Sequence, residues 1–127
     1  MADLIPEVLM SQSILKALRT DPGGWLAYTT HDSRRYEKGF PDVNEVELRP
    51  PYRTIYLELK TDTGRIEKGK WSRLGKRWIP GQDDWAQALI RSPGVLYFLI
   101  RPVDLHWLYQ WFIDADAPHP GQGGEWK

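Results

Sequence analysis

Arg49-Pro50-Pro51-Tyr52 is the feature that most limits how this chain can fold. Consecutive prolines suit neither a helix interior nor a central strand. Strand-like runs lie on either side, Val43 to Leu48 and Thr54 to Lys60, so the cluster is predicted to turn a β-hairpin centred on Pro50-Pro51. Such a hairpin brings its far ends together. Gly39-Phe40-Pro41-Asp42 leads into the first run and Glu58-Leu59-Lys60 closes the second, sixteen residues from aspartate to glutamate. Position 42 is then opposite a position between 58 and 60, at a cross-strand separation of about 5 Å. Alternation places Ile55, Leu57 and Leu59 on one face of the second strand and Tyr56, Glu58 and Lys60 on the other. Asp42, Glu58 and Lys60 are expected to converge. Two hard oxygen ligands beside an ammonium group are what Mg²⁺-dependent phosphodiester hydrolysis requires. The plainer reading makes Asp42 a turn residue after proline, and Glu58 and Lys60 a solvated strand face with cross-strand ion pairs.

The remaining sequence fits one domain with its own core, since 127 residues suffice for that. There is no cysteine, which excludes disulfides and cysteine-ligated zinc. Met1-Ala2-Asp3-Leu4 is not the start of a secretory signal, and the longest apolar run, Val95 to Ile100, is too short to span a bilayer. A soluble cytoplasmic protein without a membrane partner is the expectation.

Net charge is zero, but its distribution is uneven. From Arg65 to Arg77 six basic residues (Arg65, Lys68, Lys70, Arg73, Lys76, Arg77) face one acid, Glu67, with Trp71 and Trp78 interleaved. Phosphate neutralisation is short-ranged, so a local basic patch with aromatics bears on nucleic-acid binding more than net charge does. Trp71 and Trp78 could stack on unpaired bases at a branch point. Alternatively the stretch is a solvated basic loop whose tryptophans pack on the body of the domain. Beside a candidate metal site, the patch favours DNA.

Element by element, Pro6 to about Leu18 reads as a helix with Val8, Ile14, Leu15 and Leu18 as its buried stripe. Trp25 to Thr30 reads as a strand. After the polar loop His31-Asp32-Ser33-Arg34-Arg35 come the hairpin and the basic stretch. Gln82 to Arg91 reads as a second helix with Trp85, Ala88 and Leu89 on its apolar face, and Val95 to Ile100 as a strand buried on both sides. Pro102-Val103-Asp104 opens a third helix in which Leu108, Trp111 and Phe112 face the core, with Trp107, Trp111 and Phe112 serving core or dimer interface. The order α-β-β-β-α-β-α predicts an α/β fold with one mixed sheet flanked by helices. Residues 1–116 form the domain, 65–80 an insert, and 117–127 a flexible tail. Arg34 and Arg35 are candidates for backbone-phosphate contacts, and His31 for either a phosphate contact or a structural role.

Taken in order, Glu7, Gly24-Trp25, His31 to Arg35, Gly39-Phe40-Pro41-Asp42, Glu58-Leu59-Lys60-Thr61 with Gly64, Gln82 with Trp85 and Leu89, and Arg101-Pro102 resemble the VRR-NUC family. These are the virus-type replication-repair nucleases of the PD-(D/E)xK superfamily, and the likeness runs from Glu7 to about Asp104. It implies a restriction-endonuclease-like αβββαβ core and a metal-dependent DNA nuclease, with small members resembling Holliday-junction resolvases that act as homodimers. Asp42 and Glu58 would ligate Mg²⁺ or Mn²⁺, the Leu59 carbonyl would complete the coordination, and Glu7 would hold a metal or its water. Lys60 would position or deprotonate the attacking water, and Gln82 would orient Lys60 or the scissile phosphate. A virus-type family also implies a phage or prophage gene in a bacterial host. One departure stands out. Gly64 and Gln82 are eighteen residues apart, where the family places its glutamine a few residues after the glycine, and Gln87 follows on the same helix. A nicking or restriction-type nuclease and a non-catalytic DNA-binding module are the competing functions.

Overall fold

The computed structural model describes residues 6–20, 24–30 and 39–122. Helix α1 spans Glu7–Arg19. Pro6 precedes it in an extended conformation, and its carbonyl accepts the first turn's N–H groups from Leu9 and Met10. Glu7 in the first turn and Lys16 and Arg19 in the last complement the helix dipole. Strands β1 (Trp25–Thr29), β2 (Val43–Glu47) and β3 (Thr54–Leu59) follow. A short antiparallel ribbon, β4 (Lys70–Trp71) with β5 (Trp78–Ile79), interrupts the path to α2 (Gln82–Arg91) and β6 (Val95–Ile100). A 3-10 turn at Pro102–Asp104 leads into α3 (Leu105–Ile113).

The main sheet has the order β1-β2-β3-β6. β1, β2 and β3 are antiparallel neighbours, and β6 runs parallel to β3 with Leu57 opposite Phe98 and Leu59 opposite Ile100. The protein is therefore an α/β domain with a mixed sheet, as the element order predicts. One sheet face carries Trp25, Val43, Ile55, Leu57, Leu59, Phe98 and Ile100, which cluster with Met10, Ile14 and Leu18 of α1 and Leu108, Trp111 and Phe112 of α3. Thus Trp111 and Phe112 belong to the core. Tyr97 and Phe98 are both buried although β6 is an edge strand. The Tyr97 N–H there donates to Oε1 of Gln122 at 2.7 Å, so a side chain covers part of the bare edge.

Polar groups interrupt this core. Arg53 donates to both Glu47 oxygens (2.8 and 3.0 Å) and to the carbonyls of Trp111 and Phe112 (2.7 and 3.3 Å). It also lies over the rings of Trp25 and Trp111. One guanidinium thus neutralises a buried acid and satisfies the last carbonyls of α3. Burial alone would raise the Glu47 carboxyl, but Arg53 outweighs it and holds it below the ordinary range. Glu45, on the same face, has neither carboxyl oxygen hydrogen-bonded among the described residues. Burial pushes it well above the usual carboxylate range, against the pull of Arg53.

Several sequence expectations change in detail. Val8 is exposed, and Met10 takes its place in the buried stripe, because the helix turns its 10-14-18 row to the sheet. In α2 the buried residue is Ala86, while Ala88 faces solvent. The stretch read as a flexible tail makes contacts over its first part: the His119 ring lies 5.1 Å from that of Trp111, and Gln122 bonds β6. The basic stretch, read as a loop, contains the β4–β5 ribbon. His31, Arg34 and Arg35 lie outside the described residues.

Candidate active site

The hairpin register decides where the acids meet. Val43 is opposite Leu57, and one further step sets Asp42 opposite Glu58, at the near end of the expected 58–60 window. Asp42 Oδ2 accepts the Leu59 N–H at 2.9 Å. Strand geometry turns the Leu59 carbonyl to that same side, whereas the next N–H, of Lys60, points to β6 and donates to the Ile100 carbonyl at 2.9 Å. Glu58 (1% exposed) and Lys60 (7% exposed) are both buried. The two are on the sheet face covered by α2, with Tyr56 beside them, as alternation predicts.

Each residue before Asp42 has a local reason. Gly39 has φ +86°, and a Cβ there would lie 2.7 Å from the Gly81 carbonyl carbon and 2.9 Å from the Gln82 nitrogen. Glycine alone lets the chain pass so close to the start of α2. Phe40 then stands edge-on to Trp85 (4.9 Å) and Tyr56 (6.0 Å), tying the motif to α2 and β3. The Pro41 carbonyl accepts the Thr30 hydroxyl at 2.8 Å, and the Thr30 N–H donates to the Asp42 carbonyl at 2.8 Å. Asp42 is held from three directions.

The electrostatics follow from this crowding. Burial first, and then the charge of Asp42, push Glu58 up to about 10, with Lys60 pulling down and Glu7 adding to the rise. Glu58 therefore keeps its proton at neutral pH and hydrogen-bonds to Asp42. Its Oε1 also accepts from Nε2 of Gln82. Gln82 of α2 thus reaches Glu58, even with the long insert before it. Oε1 of the same amide accepts the Glu67 N–H at 2.7 Å, so one side chain joins Glu58 to the base of the ribbon.

Two neighbours carry no assigned role in the sequence reading. Tyr97 of β6 lies in one row with Tyr56 and Asn44 across the sheet. Its hydroxyl is raised by burial and by the charges of Glu58 and Asp42, and forms no hydrogen bond among the described residues. The parallel pairing of β6 on β3 puts it there, and a lone sequence carries no sign of that register. Arg101 donates to the carbonyls of Thr61 (2.6 Å) and Gly64 (2.8 Å), which fixes the turn directly after Lys60.

A hard divalent cation suits this donor set. Asp42 and Glu58 share a proton where two carboxylates face each other, and an ion binding there would displace it. Among the described residues no three His, Cys, Asp or Glu group together as ligands. Glu7 is felt by Glu58 as a charge, but it does not complete a three-carboxylate cage.

Beyond the carboxylates stands the ribbon. Lys68, Lys70, Arg73, Lys76 and Arg77 are all exposed, and Trp71 and Trp78 are 62% and 45% exposed. The two indoles pair across the strands at 5.6 Å, edge to face. They are not packed into the main core. No helix among the described residues is long and apolar enough to cross a membrane. No family model, curated protein or solved structure matches this chain.

Proposed function

We propose that the protein is a Mg²⁺- or Mn²⁺-dependent DNA endonuclease of the VRR-NUC type, selective for branched DNA such as four-way junctions. The observation that carries this reading is the buried contact between Asp42 and Glu58, made on the strand end that also carries Lys60. Folding two carboxyls together out of water costs stability, and a role in holding a cation accounts for keeping them. When bound, the cation supplies positive charge against the phosphate and acidifies a water. Asp42 and Glu58 contribute the ligating oxygens once Glu58 releases its proton. The Lys60 ammonium lowers the energy of a charged Glu58 and would hold the attacking water and counter charge on the phosphate. Gln82 keeps the Glu58 carboxyl in one orientation, and the buried Tyr97 lies opposite Tyr56 on the same sheet face.

The exposed basic ribbon supports DNA as the substrate. A homodimer would present two such sites to opposing strands of a junction. The outward β1–β2 face, where Leu26 (64%), Tyr28 (47%) and Val46 (43%) are exposed, supports that assembly.

The test is cleavage of labelled four-way junction, flap, single-stranded and duplex DNA with Mg²⁺, Mn²⁺ or EDTA, beside Lys60→Ala. Metal-dependent, junction-selective cutting that the variant loses is the expected result. Cutting of every substrate would reduce the reading to a general nuclease. Binding without cutting under either metal would make the protein a DNA-binding module.

A further inference from the structure

We propose that the β4–β5 ribbon is a wedge that enters DNA at a break in base stacking, with Leu74 as the inserting residue. This rests on the reading of the chain as a DNA endonuclease and names what would steer it to branched substrates.

The ribbon is too well held for a tolerated surface loop. Its base is fastened to α2: the Gly69 N–H donates to Asp83 Oδ1 (2.9 Å), the Glu67 N–H to Gln82 Oε1 (2.7 Å), and the Trp78 indole N–H to Asp84 Oδ2 (2.9 Å). The packing leaves no slack there. A Cβ on Gly69 would fall 2.1 Å from Asp84 Oδ2 and 2.5 Å from the Trp78 ring. Further out, the Trp71–Trp78 pair braces the two strands. At the tip the Ser72 hydroxyl accepts the N–H groups of Lys76 and Arg77 (3.2 and 3.3 Å), while the Ser72 carbonyl accepts from Gly75 at 2.7 Å. Ordering these residues costs conformational entropy that a solvated loop need not lose.

The ordered turn presents Leu74, 77% exposed, to solvent. Arg73, Lys76 and Arg77 flank it in sequence and are exposed, and no acid occurs between Lys68 and Arg77. An apolar tip among cations matches DNA at close range. The cations meet phosphates while the leucine enters between bases, as apolar side chains do in proteins that kink DNA. An intact duplex resists, because unstacking a step costs a few kcal/mol. At a branch point the stack is already broken, so the same tip favours discontinuities. The tryptophans then serve first as the brace, and the leucine as the reader. Because Gln82 bonds both the ribbon base and Glu58, a seated wedge fixes where the flanking strand lies relative to the carboxylates.

The experiment uses the full chain in EDTA with 2-aminopurine beside the crossover of a four-way junction, and the same probe within an intact duplex. Wild-type protein should raise the fluorescence on the junction and not on the duplex. Leu74→Ser should abolish that rise and reduce the junction-over-duplex binding ratio roughly tenfold, with an unchanged melting temperature, whereas Leu74→Met should retain both signals. Equal fluorescence and an equal ratio for Leu74→Ser and wild type would overturn the wedge. If that protein still cuts with Mg²⁺, the nuclease reading survives alone. A wedge signal without cutting under Mg²⁺ or Mn²⁺ would leave the wedge standing and remove the nuclease. Binding to no DNA would remove both.

Discussion

Glu58→Gln should make the protein more stable at neutral pH while abolishing cleavage. Glu58 has an ordinary value of 4.5 and is pushed up to about 10 in the folded site. In the unfolded chain it is ionised at pH 7, so folding must take up a proton. Neutrality lies about 2.5 pH units above the ordinary value, and at 1.36 kcal/mol per unit the uptake costs about 3 kcal/mol. The figure is insensitive to the exact folded value, provided that value is above 7. An acid raised in this way contributes its full stability below about pH 4.5 and loses it as pH climbs toward about 10. Glutamine imitates the protonated acid. Its carbonyl can accept from Gln82 and its amide can donate to Asp42, the two bonds Glu58 makes.

Urea unfolding of wild type and variant at pH 5 and pH 8 measures the effect. The variant should gain about 3 kcal/mol at pH 7, roughly 10 °C in melting temperature, and well under 1 kcal/mol near pH 4.5. Added Mg²⁺ should close most of that gap by stabilising wild type alone, by about 2.7 kcal/mol at a hundredfold excess over its dissociation constant. A stability difference that does not change between pH 5 and pH 8 would refute the claim that Glu58 takes up a proton on folding. Equal stabilisation of both proteins by Mg²⁺ would remove Glu58 from any cation site.

Two further perturbations test the frame around the site. Arg53→Met should cost about 3–5 kcal/mol in a urea titration, because it leaves Glu47 buried without its counter-charge; adding Glu47→Leu should recover most of that loss, and no recovery would shift the cost to the α3 carbonyls. Gly39→Ala should cost about 2 kcal/mol or more, since both the positive φ and the Gly81 backbone oppose a Cβ, and should slow cleavage more than tenfold by moving α2 and Gln82. An unaltered cleavage rate in that variant would mean the Gly39 approach to α2 does not set the position of Gln82.

What the sequence could announce depended on how local each cause was. The Arg49–Tyr52 turn and the alternation of β3 depend on neighbouring residues. From them alone the convergence of Asp42, Glu58 and Lys60 is expected, and the register sets Asp42 opposite Glu58. The orientation of β2 is a different matter. Hydropathy would send Val46 and Leu48 inward, yet both are exposed while Glu45 and Glu47 are buried. The reversal is fixed by Arg53 across the hairpin and by Val43, whose burial beside Asp42 commits every second residue to the core. Only the paired structure carries that information, as it does for Tyr97. The ribbon is the sharper case. Composition marked its tryptophans as the residues to touch DNA, because aromatics among cations are conspicuous in a sequence. Leu74 is one ordinary leucine until the turn at Ser72, the Trp71–Trp78 brace and the anchors on α2 are seen together. A side chain's exposure at a fixed point is a property of the fold around it, so the residue best placed to read a substrate can be the one with the least conspicuous chemistry.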